Sequence, residues 1–101
     1  MRCLRVQGYD ASPAKTGWIG LSWLLPGGHT SISPSPVEKM YVVLEGSVTV
    51  HDGNEDATLA KFDSCYFAPG EARQLKNNSN HPAAVLLVMP YLDGAATVTK
   101  K

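Results

Sequence analysis

The sequence predicts an all-β fold, a small antiparallel barrel or sandwich. Three observations carry that reading. Short runs rich in Val, Leu, Thr and aromatic residues recur along the chain, as at Val48–His51 and Ala83–Met89. Nine glycines and seven prolines break the 101 residues at short intervals. No stretch sustains the apolar period of a convincing helix. Many short strands between regular turn signals point to a closed or sandwiched sheet.

Taken in order, residues 3–7 form a short strand, placed to pair with the body or with a second subunit. Residues 10–16 (Asp-Ala-Ser-Pro-Ala-Lys-Thr) are a turn-rich connection. In the next strand Ile19, Leu21, Trp23 and Leu25 alternate, so that face is expected on the core. Pro26-Gly27-Gly28 ends it. Pro34 and Pro36 lack backbone donors and keep residues 33–37 at an edge or in a loop. Lys39–Leu44 is β-rich, Val48–His51 resumes after Gly46, and Asp52-Gly53-Asn54 is a strong turn signal. Further strands are expected over Ala57–Lys61, Cys65–Phe67 and residues 71–77, with a turn cluster over 77–82. Ala83–Met89, bounded by Pro82 and Pro90, reads as a buried strand. The expected organisation is one domain over 1–101, with its core at about 17–90 and a C-terminal tail at 93–101.

Nine basic and nine acidic residues cancel, so the composition offers no footprint for nucleic acid or an anionic membrane. No apolar run is long enough to span a bilayer, and Met1–Val6 lacks a secretory h-region. A cytoplasmic location is the resulting expectation. Cys3 and Cys65 form no disulfide framework and are expected to be reduced, buried small hydrophobes. His51 and His81 are expected at the surface.

The segment from Gly27 to Gly46 resembles the first motif of the cupin family, G-x5-H-x-H-x3-E-x6-G. Both glycines fit without a gap, but the ligand positions fall on Ser33, Ser35 and Lys39. The second motif, G-x5-P-x-G-x2-H-x3-N, matches at Gly70 and Asn77. Its first glycine falls on Phe62, its proline on Ala68 and its histidine on Arg73. Fifteen residues, 47–61, separate the motifs. The resemblance covers roughly residues 17–90. It implies a small cupin-type antiparallel β-barrel, a double-stranded β-helix or jelly roll. It does not fix a function, because cupins host many chemistries.

In metal-binding cupins three histidines and a glutamate hold the ion. Here serine hydroxyls are poor ligands, and Lys39 and Arg73 are cations, so neither a transition metal nor another cofactor is expected. Alternation from the family's register would turn Lys39, Tyr41 and Val43 inward, and His29, Ser31, Ser33 and Ser35 with them, while Arg73 enters from the facing strand. Trp23, Phe67, Leu75 and residues of the 84–89 run are the expected walls. Two cations among apolar walls call for an anion, with Arg73 gripping a carboxylate and Lys39 supplying a point charge.

The expected catalytic set is Lys39, Arg73, His29 and Tyr41, with Ser33, Ser35, Arg73, Trp23 and Phe67 binding the substrate. The expected function is metal-independent proton transfer, isomerisation, decarboxylation or elimination on a small carboxylate or keto acid. The alternatives are a non-catalytic ligand-binding or sensing cupin, and a metal cupin with unusual ligands. A homodimer is expected, because an unpaired strand edge at residues 3–7 is a liability that pairing removes.

Overall fold

The computed structural model describes residues 2–32 and 34–91. The expected tail at 93–101 lies outside them, as does Ser33. Eight strands appear among the described residues: β1 (Arg2–Gln7), β2 (Gly17–Leu24), β3 (Lys39–Glu45), β4 (Val48–His51), β5 (Asp56–Leu59), β6 (Ser64–Phe67), β7 (Gln74–Lys76) and β8 (Ala83–Pro90). No helix occurs among the described residues. One sheet runs β1-β2-β8-β3-β6 and the other β5-β4-β7. Every pairing is antiparallel. The two sheets face each other across one apolar layer, the jelly-roll arrangement that the sequence predicts. Leu24, Val43, Val48 and Val85 are at most 1% exposed at its centre.

β8 is the inner strand of the larger sheet, pairing with β2 on one side and β3 on the other. That position explains why its sequence is apolar at nearly every residue. β7 is shorter than the strand expected over 71–77. Arg73 and Asn77, at its two ends, are buried side chains with other tasks.

The facing of β2 reverses the expectation. Ser22 pairs with Val85 and Leu24 with Ala83, both core residues. The inward positions are therefore Trp18, Gly20, Ser22 and Leu24, while Ile19, Leu21 and Trp23 point away from the core. Leu25 lies past the strand and is 66% exposed. Alternation reveals that one face is apolar but not which side of the sheet it occupies, and a shift of one residue exchanges the two.

Two motif positions acquire physical roles. Asn77 is fully buried. Its Nδ2 donates to the carbonyls of Leu24 (2.8 Å) and His81 (2.7 Å), and its Oδ1 accepts from Ser79 N (3.0 Å) and Oγ (2.7 Å). One amide thus ties the end of β2 to the turn before β8, with its polar capacity satisfied. Phe62 stands where the family has glycine, and its φ is +73° with the ring 73% exposed. A side chain in that left-handed region is strained. Phe62→Gly is therefore expected to stabilise the fold by about 1 kcal/mol in urea denaturation, the relief of strain outweighing the looser unfolded chain. A loss of stability would show that the Phe62 ring packs usefully.

Candidate functional site

Alternation along β3 turns Lys39, Tyr41 and Val43 to the inner face. Val43 is sealed in the core and Tyr41 is 8% exposed, while Lys39 is half-buried at the open end. Arg73, just before β7, is 5% exposed, and its Nη1 donates to the Glu71 carbonyl at 3.3 Å. Its guanidinium carbon lies 5.1 Å from the ring centre of Phe67 and 5.8 Å from that of Tyr41. The two rings meet edge to face, with centroids 6.0 Å apart. Aromatic faces attract a cation, so this pair seats the guanidinium inside the barrel.

Lys39, Tyr41 and Arg73 line one cavity of about 260 Å³. Leu75 and Leu87 form its apolar wall, and Cys3, Ser22, Thr30 and Ser31 complete the lining. None of these nine residues carries a carboxylate. Burial, and secondarily the charge of Arg73, hold the Lys39 ammonium below its usual pKa of 10.5. Lys39 enters no ion pair among the described residues; the pairs there are His51–Asp56 and Lys61–Glu45. Burial raises the Tyr41 phenol above its usual value of 10.0, against the charge and hydrogen bond of Arg73. The Tyr41 hydroxyl therefore keeps its proton at neutral pH. A fixed guanidinium, an ammonium that loses its proton more readily than usual and a protonated phenol can together hold an anion and exchange a proton with it.

The other expected site residues are placed differently. His29 is exposed and bridges to Lys76 on the sheet edge, with Nδ1 3.2 Å from the Thr30 carbonyl oxygen. It is not among the cavity's lining residues; Thr30 and Ser31 are. The Thr30 amide donates to the Leu75 carbonyl at 2.9 Å, and its hydroxyl accepts from Leu75 N at 3.0 Å, so this backbone pairing sets which residues face in. Ser35 is buried but serves a turn: its hydroxyl accepts from Val37 N (3.3 Å) and its carbonyl from Gly70 N (2.8 Å). Trp23 faces outward. Phe67 backs Arg73 rather than lining the cavity.

Sequence reasoning missed Cys3, Ser22 and Thr30. Ser22 carried a signal, as the polar residue in phase with Leu24 and out of phase with the apolar alternation. Cys3 is exposed, contrary to expectation, with Sγ 3.4 Å from Ser22 Oγ. Cys65 is partly buried, and burial pushes its thiol up to about 11, so it is an inert packing residue.

The cupin fold implies a metal, and the residues present do not fit one. Of the four ligand positions, Lys39 and Arg73 bring cations to the cavity and Ser35 holds a turn. His29, His51 and His81 lie apart, and no three His, Cys, Asp or Glu side chains gather among the described residues.

The cupin domain pattern matches residues 21–89 of this chain. A beta-D-galactosidase of Mycobacterium tuberculosis is 33% identical over 88 residues, covering 87% of this chain and 76% of that protein. A solved structure from Thermus thermophilus superposes with a TM-score of 0.79 at 28% identity, over 89% of this chain and 82% of the other. A sugar phosphate isomerase from Silicibacter pomeroyi, described as a cupin, gives a TM-score of 0.79 at 23% identity; 89% of this chain is covered but only 59% of that one. At that identity the likeness speaks for the fold alone. On the matched domain, the shared identity and the barrel itself, this chain belongs to the cupin family.

Proposed function

We propose that this cupin binds a small carboxylate or keto acid in the Lys39–Tyr41–Arg73 cavity and moves a proton on it without a metal. The observation that carries the reading is a cavity lining that, among the described residues, has two cationic side chains and no acidic one. At about 260 Å³ it is a little smaller than typical ligand sites of about 300–1,000 Å³, which suits a compact acid. The guanidinium of Arg73 has the planar fork geometry that matches a carboxylate. Lys39, in its neutral fraction, takes a proton from the carbon beside the substrate carbonyl. The C–H electron pair moves toward the carbonyl, and the Tyr41 hydroxyl donates to the enolate oxygen that forms. The Lys39 ammonium returns the proton to the same carbon, which exchanges or inverts it, or, where a carbon–carbon double bond is conjugated with the enolate, to the far end of that double bond, which shifts it.

The name of the mycobacterial relative raises glycoside hydrolysis. That reaction ordinarily needs two carboxyl groups flanking the bond, and none lines this cavity among the described residues. We therefore do not extend it to this chain. The absence of an imidazole from the lining favours a second reading, a binder that senses or sequesters the acid.

Calorimetric titration of chelator-treated, untagged protein with small keto and hydroxy acids tests the binding. The acids are expected to bind and their neutral amides not to. Affinity that appears only on adding a divalent metal would sink the proposal. Proton NMR in heavy water then separates the readings: deuterium entering the carbon beside the carbonyl marks an enzyme, and binding without exchange marks a sensor.

A further inference from the structure

We infer that Arg5 holds a second anionic group of the ligand, a carboxylate or phosphate at the far end of the acid, so that the preferred ligand carries two separated negative charges. The inference rests on the reading of the Lys39–Tyr41–Arg73 cavity as an acid site and deepens it. Arg5 follows Cys3 by two residues on β1, so the two share the inward face, and Cys3 lines the cavity. The register sets Arg5, Gly20, Leu87 and Tyr41 side by side on one inward rung across β1, β2, β8 and β3. Leu87 and Tyr41 line the cavity from the other end of that rung. Three strand spacings of about 4.8 Å put the Cα atoms of Arg5 and Tyr41 roughly 14 Å apart. A short acid held at Arg73 leaves Arg5 unused, whereas a longer one crossing Leu87 meets it.

Arg5 is exposed but held in place. Its guanidinium carbon lies 4.0 Å from the ring centre of Tyr9 and 4.8 Å from that of Trp18. The Trp18 indole lies along the inward face: a Cβ on Gly20 would come within 3.0 Å of its Cζ3. A glycine inside a strand marks such a close approach. Tyr9 has φ +50°, a strained backbone for a residue with a side chain. The Tyr91 hydroxyl fixes it there, accepting from Tyr9 N at 2.9 Å and donating to the Ala14 carbonyl at 2.9 Å. Strain of this kind persists where the placement of the side chain matters.

The two rings fix the guanidinium and leave its N–H edge to a ligand. Arg5 enters no ion pair among the described residues; the pairs there are His51–Asp56 and Lys61–Glu45. The three inward rungs through Ser22, Gly20 and Trp18 carry Arg5 and Lys39 and no carboxylate. With Arg73 facing them, three cationic side chains border one space, and a dianion complements that charge better than a single carboxylate does.

Calorimetry on chelator-treated, untagged protein tests the inference, with keto acids of increasing chain length that end in methyl, carboxylate or phosphate. At a matching length the acid with the charged end is expected to bind about tenfold or more tighter than its methyl-ended counterpart, the effect of one charged hydrogen-bonded contact. Either charged ending supports the inference, and the larger ratio identifies the group. Arg5→Gln should bring the ratio close to unity, and Arg5→Lys should restore part of it. Trp23→Phe leaves Trp18 as the remaining indole, and its emission should change with the dianion and not with the methyl-ended acid. Methyl-ended acids that bind as tightly as charged ones at every length overturn the inference while leaving the cavity reading standing. A ratio that survives Arg5→Gln does the same. If no acid binds in any form, the cavity reading falls and this inference with it.

Discussion

Alanine at Gly46 is expected to lower the unfolding free energy by about 3 kcal/mol, and alanine at Gly27 by only about 1 kcal/mol. Both glycines belong to the first cupin motif and both have positive φ, +74° at Gly46 and +82° at Gly27. The left-handed strain on a side chain is therefore common to the two. Space separates them. A Cβ on Gly46 would lie 2.6 Å from the Pro82 carbonyl oxygen and 3.2 Å from Ala83 Cα, both backbone atoms entering the central strand. β8 is held by strands on both sides and cannot retreat without disturbing the larger sheet. A Cβ on Gly27 would meet nothing within 4 Å. Urea denaturation of both variants measures the difference. Equal losses at the two sites would mean that the close approach of Pro82 to Gly46 relaxes at little cost.

The sequence made the architecture legible because turn chemistry is local. Pro26-Gly27-Gly28, Asp52-Gly53-Asn54 and Pro69-Gly70 each stop a strand for reasons that need no tertiary context. The strands between them appear close to their expected limits. The facing of β2 was not legible. Its apolar alternation looks the same on either face of the sheet, and only the pairing of Leu24 with Ala83 decides which one meets the core. The site divides along the same line. Lys39 and Tyr41 share a regular strand, where alternation is dependable, and both line the cavity. His29 and Ser35 lie in a segment with prolines and no regular strand, where counting by twos carries no information. Cys3 and Ser22 reach the cavity through the pairing of β1 with β2, a contact between residues 19 positions apart that no local pattern announces.

Arg73→Ala and Lys39→Met are expected to fail in different ways. Removing the guanidinium deletes the buried group proposed to hold the carboxylate, so affinity for the acid should fall by about a hundredfold or more. Lys39→Met keeps the bulk of the stem and removes the amine. Binding should weaken less, while deuterium exchange falls by about a hundredfold or more, the usual contribution of a positioned base. The pH dependence follows from the lowered pKa of Lys39. The ammonium helps to hold an anion, so affinity in the parent should fall as pH rises through that lowered value, below 10.5. On the proposed mechanism the neutral amine is the base, so exchange at saturating substrate should rise over the same interval. Folding stability should also rise there, because the unfolded chain binds the Lys39 proton more tightly than the native one, and the rise should end near 10.5 as the unfolded lysine titrates. Lys39→Met should remove all three trends. If both variants bind and exchange as the parent does, the reacting centre lies outside this cavity. If only Arg73→Ala loses the ligand and Lys39→Met is silent in every measurement, the cavity is a carboxylate receptor and Lys39 is part of its wall.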